Sequence, residues 1–127
     1  MGWLILSEEN FSGYFKKLRV SKSKTQEDIA NAIGKHKMLI SGIEHGKNNP
    51  PREGDLEKIA FELKLNEEES ITLFEMAAFH RGTLPKEVVT YIMKNNMVFE
   101  LIKTVKNKQF NNEEIKEVVN FCNSNFK

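Results

Sequence analysis

Three histidines (His36, His45, His80), one cysteine (Cys122) and a run of glutamates at 67–69 are the side chains of this chain best suited to catalysis or metal binding. Their spacing assembles no site. The histidines lack the short separations by which proteins grip a metal, and Cys122 is far from all of them in the chain. The glutamates open a helix-like run, where the positive end of the helix dipole favours carboxylates. The Gly-Lys dipeptides lack the preceding glycines of a phosphate-cradling loop. Neither an enzyme nor a bound metal or cofactor is expected.

One stretch has residue types for another chemistry, contact with a polyanion. GKHKMLISGIEHGKNNPP, Gly34 to Pro51, has the form of a short helix followed by a turn, with a lysine near the helix start. In mid-helix stands Gly42, where glycine costs about 1 kcal/mol relative to alanine. The question is whether this helix reads DNA, and why one of its middle positions has no side chain.

Composition sets the frame. Charged residues make up 29% and hydrophobic residues 39% of 127, the balance of one soluble globular domain with a modest core. The net charge is +1, but it is unevenly spread. Residues 1–52 hold nine Lys/Arg against five Asp/Glu, and residues 53–127 hold ten against thirteen, so a basic N-terminal part precedes an acidic C-terminal part. The lone Cys122 rules out an internal disulfide and falls in an apolar series, as a small core residue would. The opening MGWLIL lacks the basic flank and length of a signal peptide, and no apolar run approaches a membrane span. The simplest location is the cytoplasm. High lysine and asparagine usage suits an AT-rich bacterial or mobile-element genome.

The elements that must position the stretch are helices almost throughout; only WLIL at the start suits an extended strand. Ser7 can cap a first helix bearing Phe11, Tyr14, Phe15 and Leu18. Thr25 and Asp28 form a capping-box pattern for a second, with Ile29, Ala30 and Ile33, that stops at Gly34. A third carries Leu39, Ile40 and Ile43 before HGKNNPP forces a loop. A fourth carries Leu56, Ile59, Ala60 and Leu63. Asn66 and Glu69 open a fifth with Ile71, Phe74, Ala77 and Ala78. HRGTLP has the character of a hinge, beyond which three short amphipathic helices follow. The expected plan is all-α, with a five-helix module over residues 8–80 and a helical extension over 84–127.

Two short helices joined by a tight turn are the helix-turn-helix pattern, whose second helix enters the major groove. TQEDIANAIGKHKMLISGIEHGKNNP resembles the Cro/repressor-type (Xre family) helix-turn-helix. The likeness rests on TQEDIA, a glycine four residues beyond the alanine, and IS-x-IE-x-GK-x-x-P, and it is dense from Leu18 to Leu65. It implies a five-helix repressor-like domain that binds double-stranded DNA. Ala30 falls where helices two and three cross closely, and Gly34 supplies the left-handed turn. Arg19 and Glu44 fall where the family places a partly buried ion pair.

The resemblance also assigns DNA-contacting positions. Gln26 matches a residue that bonds a phosphate and braces the recognition helix. Lys37 and Met38 match the first base-facing positions, suited to guanine and to a thymine methyl. Ser41, one turn on, can reach a phosphate or a base. Lys47, Asn48 and Asn49 match a loop along the sugar-phosphate backbone. His36 stands where the family has a Ser or Thr cap; it places an imidazole, and a positive charge when protonated, beside the backbone. Lys16, Lys17, Lys22 and Lys24 around helix one can add unspecific attraction or form a solvated fringe. The departures are Lys35 in place of an apolar residue after the turn, His36 itself, and Gly42 where a long base-reading side chain usually stands.

The tail, with its LP-x-x-V-x-x-Y pattern, is similar to the segment after this domain in many Xre-type regulators. Its apolar faces exceed what three isolated helices can hide, which suggests dimerisation or a protein partner. Two functions follow as expectations. The first is a transcriptional regulator, a repressor, that inserts helix 36–44 into the major groove of a palindromic operator as a homodimer. The second is an interaction module, such as an antitoxin or a partner-controlled regulator, with weak DNA binding.

Overall fold

The computed structural model describes residues 10–127, in which every regular element is an α-helix. Five helices fall in a compact unit that ends at Pro85: α1 (Phe11–Ser21), α2 (Gln26–Ile33), α3 (Lys37–Glu44), α4 (Glu53–Glu62) and α5 (Glu67–His80). Three more, α6 (Lys86–Lys94), α7 (Asn96–Asn107) and α8 (Asn112–Asn125), lie in a second unit, Lys86–Lys127. The all-α repressor-like architecture is thus present.

Local chemistry explains the boundaries. Thr25 and Asp28 make a reciprocal capping box at the start of α2, with Asp28 N–H donating to the Thr25 hydroxyl at 3.0 Å and Thr25 N–H donating to the Asp28 carboxylate at 2.8 Å. Asn66 and Glu69 do the same for α5, and Asn111 and Glu114 for α8. These bonds hold the Asp28 carboxyl below the usual carboxylate range. The first described helix begins later than its spacing suggests. Asn10 caps it, accepting from Gly13 N–H at 2.8 Å. Ser7, and the extended stretch expected at WLIL, lie outside the described residues.

The turn between α2 and α3 is a Schellman motif. Gly34 N–H donates to the carbonyl of Asn31 and Lys35 N–H to that of Ala30, with Gly34 at φ 65°. An L side chain in that left-handed conformation costs roughly 1–2 kcal/mol, which glycine avoids. The bond from Lys35 N–H back to Ala30 ends α2 and turns the chain within a few residues, and α3 packs directly on α2.

The core is continuous through all five helices. Phe11, Phe15 and Leu18 of α1 meet Ile29, Ala30 and Ile33 of α2 and Ile40 and Ile43 of α3, and Leu56, Ile59, Leu63, Leu73, Met76 and Ala77 close it from below. The rings of Phe11 and Phe15 stack with centroids 5.5 Å apart. Fully burying each aliphatic or aromatic side chain stabilises the fold by about 1.5–3 kcal/mol. Ile71 departs from expectation: it is 41% exposed, and Leu73 and Met76 take the inward positions of α5. At about 3.6 residues per turn, Leu73, Met76 and Ala77 lie about half a turn from Ile71.

The second unit is built differently. α6 and α7 follow one another across the single residue Asn95, α8 makes no substantial contact with either, and none of the three contains a buried residue. No helix among the described residues is long and apolar enough to cross a membrane.

Candidate nucleic-acid interface

The site grows from a single carboxylate. Glu44, the last residue of α3, has a side chain only 1% exposed, and burying a bare charge so deeply is costly unless every oxygen is satisfied. Three donors meet it. Arg19 of α1 gives Nε at 2.6 Å and Nη2 at 2.9 Å, a two-pronged clasp on both oxygens, and Gln26 of α2 gives Nε2 at 3.0 Å. Arg19 Nη1 also donates to the Lys24 carbonyl at 2.8 Å. Helices α1, α2 and α3 are therefore joined at one point. Burial pushes the Glu44 carboxyl up, yet the bonds from Arg19 and Gln26 and the charges of Arg19 and Lys16 outweigh it and hold the group below the ordinary glutamate value of 4.5. The hydroxyl of Ser12 adds a second tie, donating to the Ile43 carbonyl at 2.7 Å.

With its inner face fixed, α3 presents the opposite face to solvent. Ile40 and Ile43 point into the core, which by helical geometry turns Met38, Ser41 and His45 outward. Met38 is 74% exposed, and Lys37 is exposed beside it. His36 caps the helix, its Nδ1 accepting from Met38 N–H at 3.1 Å, so the neutral imidazole serves as the cap. Among the described residues, Lys35, Lys37 and Lys47 form no ion pair. By contrast Lys22 and Lys24 are engaged with Glu69 (3.1 Å) and Glu62 (3.0 Å). The uncompensated positive charge thus clusters at the two ends of α3.

Gly42 turns out to be occupied in another sense. A Cβ there would overlap the amide nitrogen of Asn48 and lie 2.9 Å from its Cγ. The chain after α3 folds back on this position, with Lys47 and Asn48 N–H both donating to the Gly42 carbonyl at 2.8 and 3.1 Å, and the Asn48 amide reaching the Leu39 carbonyl at 3.5 Å. The missing side chain makes room for the loop. The Asn48 side chain therefore lies against α3 itself, while Lys47 and Asn49 are exposed on the loop beside it.

Two residues of this neighbourhood escape a sequence reading. His45 shares the outward face with Met38 and Ser41; its Nδ1 is 2.7 Å from the Ser41 carbonyl, which can only accept, so Nδ1 carries the proton and Nε2 is left outward. Spacing of three and four residues was the available signal. Arg81, at the end of α5, donates through Nη2 to the carbonyl of Pro50 at 2.6 Å and also to that of Pro51. It fastens the far end of the loop that Asn48 fastens near α3, and no local pattern announces it. Among the described residues no three His, Cys, Asp or Glu side chains come together as a metal site.

A short helix clasped at one end, reached through a tight turn and bearing exposed polar groups on its free face defines a DNA-binding helix-turn-helix. Residues 15–69 match the family model described as helix-turn-helix, so this part of the chain is similar to that family. The chain is accordingly a DNA-binding transcription regulator in general terms. Neither a curated protein nor a solved structure matches it significantly.

Two substitutions test this geometry. Glu44→Gln leaves Arg19 buried without its counter-charge and is expected to cost about 3 kcal/mol in urea unfolding at neutral pH. Because the folded carboxyl titrates below 4.5, its contribution is complete above that value and is lost as pH falls through the folded value. The gap between parent and variant should therefore narrow in acid; a gap unchanged down to about pH 3 would contradict the clasp. Gly42→Ala gains up to about 1 kcal/mol of helix propensity but must displace the Asn48 amide. The gain should be larger in an Asn48→Ala background, and equal gains in both would show that Asn48 does not occupy the space.

Proposed function

We propose that the chain is a sequence-specific transcriptional repressor that binds a palindromic operator as a homodimer, with α3 inserted in the major groove. The observation that carries this reading is the clasp on Glu44, which fixes the inner face of α3 and leaves Lys37, Met38 and Ser41 on the free face. Lys37 can donate to guanine O6 and N7, and Met38 can pack on a thymine methyl. Ser41 reaches a phosphate or a base one turn further on.

Backbone contacts surround these three residues. Gln26 stands at the first turn of α2, where free N–H groups and the helix dipole favour a phosphate; its own amide is spent on Glu44, so its part is to brace α3. His36, Lys47 and Asn49 flank α3 on the exposed side, and Asn48 holds the loop against α3 while its backbone lies beside them. Two copies would set two recognition helices about one helical turn apart, which matches a palindrome. No catalytic step, metal or cofactor belongs to this reading, and a cytoplasmic location suits it.

The vacated side chain at Gly42 narrows the base-reading surface to the N-terminal half of α3. Specificity then depends on few contacts, and affinity depends mainly on phosphates. Binding to the protein's own promoter region should weaken steeply with salt, each neutralised phosphate adding about −0.9 to the slope of log K against log salt. Lys37→Ala should cost roughly 1–3 kcal/mol at the operator. If that variant binds as tightly as the parent, Lys37 is not a base reader. Absence of any gel shift at low salt would instead favour an interaction module, such as an antitoxin or a partner-controlled regulator acting through its extension.

A further inference from the structure

The free face of α3 has a gap that a side chain from outside the helix fills. Ile40 and Ile43 point into the core, and at about 3.6 residues per turn Gly42 falls on the opposite side, one turn beyond Met38. Over it lies the exposed side chain of Asn48, with Cγ 2.9 Å and Oδ1 3.5 Å from where a Gly42 Cβ would stand. Backbone bonds already hold the loop there. Lys47 and Asn48 N–H both donate to the Gly42 carbonyl, at 2.8 and 3.1 Å, and Arg81 fastens the far end through the Pro50 carbonyl at 2.6 Å. The Asn48 amide itself is barely engaged. Its Nδ2 reaches the Leu39 carbonyl at 3.5 Å, the outer limit of a hydrogen bond, and no described residue donates to Oδ1. Gln26 is the contrast, since its amide is committed to Glu44 at 3.0 Å.

We propose that Asn48 is a base-reading residue: placed over Gly42 by the loop, its carboxamide gives the free face of α3 a donor and an acceptor for the major-groove edge of an adenine. The inference rests on the operator reading above and adds a specificity-determining residue to it. Chemistry selects the ligand. Adenine offers its N6 amino group as donor and N7 as acceptor side by side, which match Oδ1 and Nδ2 of an asparagine. Nδ2 carries two hydrogens, so its long bond to Leu39 leaves one for N7. A phosphate oxygen only accepts; it would engage Nδ2 and leave Oδ1 without a donor. Guanine presents two acceptors on that edge and meets the same difficulty. Placement selects the role. The backbone bonds at Gly42 and the Arg81 contact fix the loop before DNA arrives, so little freedom is lost when the amide docks. A side chain at position 42 would take the same space, so the bare helix position and the loop amide form one device. The side chains of α3 itself read from its N-terminal half, and Asn48 extends that surface to the middle of the helix.

The test recovers the duplexes that the full chain binds from a random-sequence pool and compares the parent with Asn48→Ala and Asn48→Asp. The parent's motif should contain an A·T pair whose preference Asn48→Ala loses, with the preferences at other pairs and the helical circular dichroism unchanged. On the recovered duplex the alanine variant should bind roughly 5- to 150-fold more weakly, the range of one bidentate base contact. Changing that A·T pair should weaken the parent by a similar factor and leave the variant unaffected. Asn48→Asp keeps the shape of the side chain but only accepts, so its preference at that pair should move from adenine to cytosine, whose N4 amino group donates. A contact that merely holds the loop would lower affinity on all sequences alike and leave the motif as it is. That result, or an alanine variant that recovers the parent's motif with adenine intact, overturns the proposal. The two readings fail in different ways: a parent that recovers no motif removes the operator reading and this one with it, whereas a motif that both substitutions leave unaltered removes the role of Asn48 alone.

Discussion

The Glu44 carboxylate accepts hydrogen bonds from Arg19 on both oxygens and from Gln26 on one, and through that group α1, α2 and α3 are held in one geometry. The arrangement is not a simple gain in stability. Two opposite charges removed from water roughly cancel their own attraction against lost hydration, so the net worth of such a pair is small. Its consequence is geometric. Any rotation of α3 that turned Ile40 or Ile43 outward would also strip a buried carboxylate of its partners, which is far more costly than the apolar exposure alone. The clasp therefore fixes the rotation of α3 about its axis, and with it the identity of the residues on the free face.

That free face is completed from outside the helix. Gly42 lets the chain from Lys47 to Asn49 return closely enough for Asn48 to lie against α3, and Arg81 holds the loop's far end by the carbonyls of Pro50 and Pro51. A helix and its following loop thus behave as one surface. Charge is arranged to suit it: Lys22 and Lys24 are spent on Glu69 and Glu62, and Lys35, Lys37 and Lys47 remain at the ends of α3. A chain with a net charge of only +1 can in this way still present a locally cationic face to phosphates.

The sequence displays these features unequally. Thr25–Asp28, Asn66–Glu69 and Gly34 are legible because caps and turns are decided within four or five residues of chain. The helical class and the core isoleucines follow from periodicity, which averages over many positions. The Arg19–Glu44 pair spans 25 residues and becomes visible only through the family resemblance. Spacing misses two positions: Asn10 caps α1, and Leu73 with Met76 turns inward on α5 while Ile71 faces outward. The place of Asn48 over Gly42 and the reach of Arg81 to the proline carbonyls have no local signature. Each depends on how the chain returns after several intervening residues.

In the proposed function α3, clasped at Glu44, offers its Lys37–Met38–Ser41 face and its following loop to duplex DNA. The most direct measurement follows backbone amide resonances of the full chain while duplex from its own promoter region is added. Shifts are expected to concentrate in residues 35–41 and 45–49 and at the start of α2, with α4 and the core face of α5 unmoved. Shifts absent from α3, or confined to residues 86–127, would contradict it.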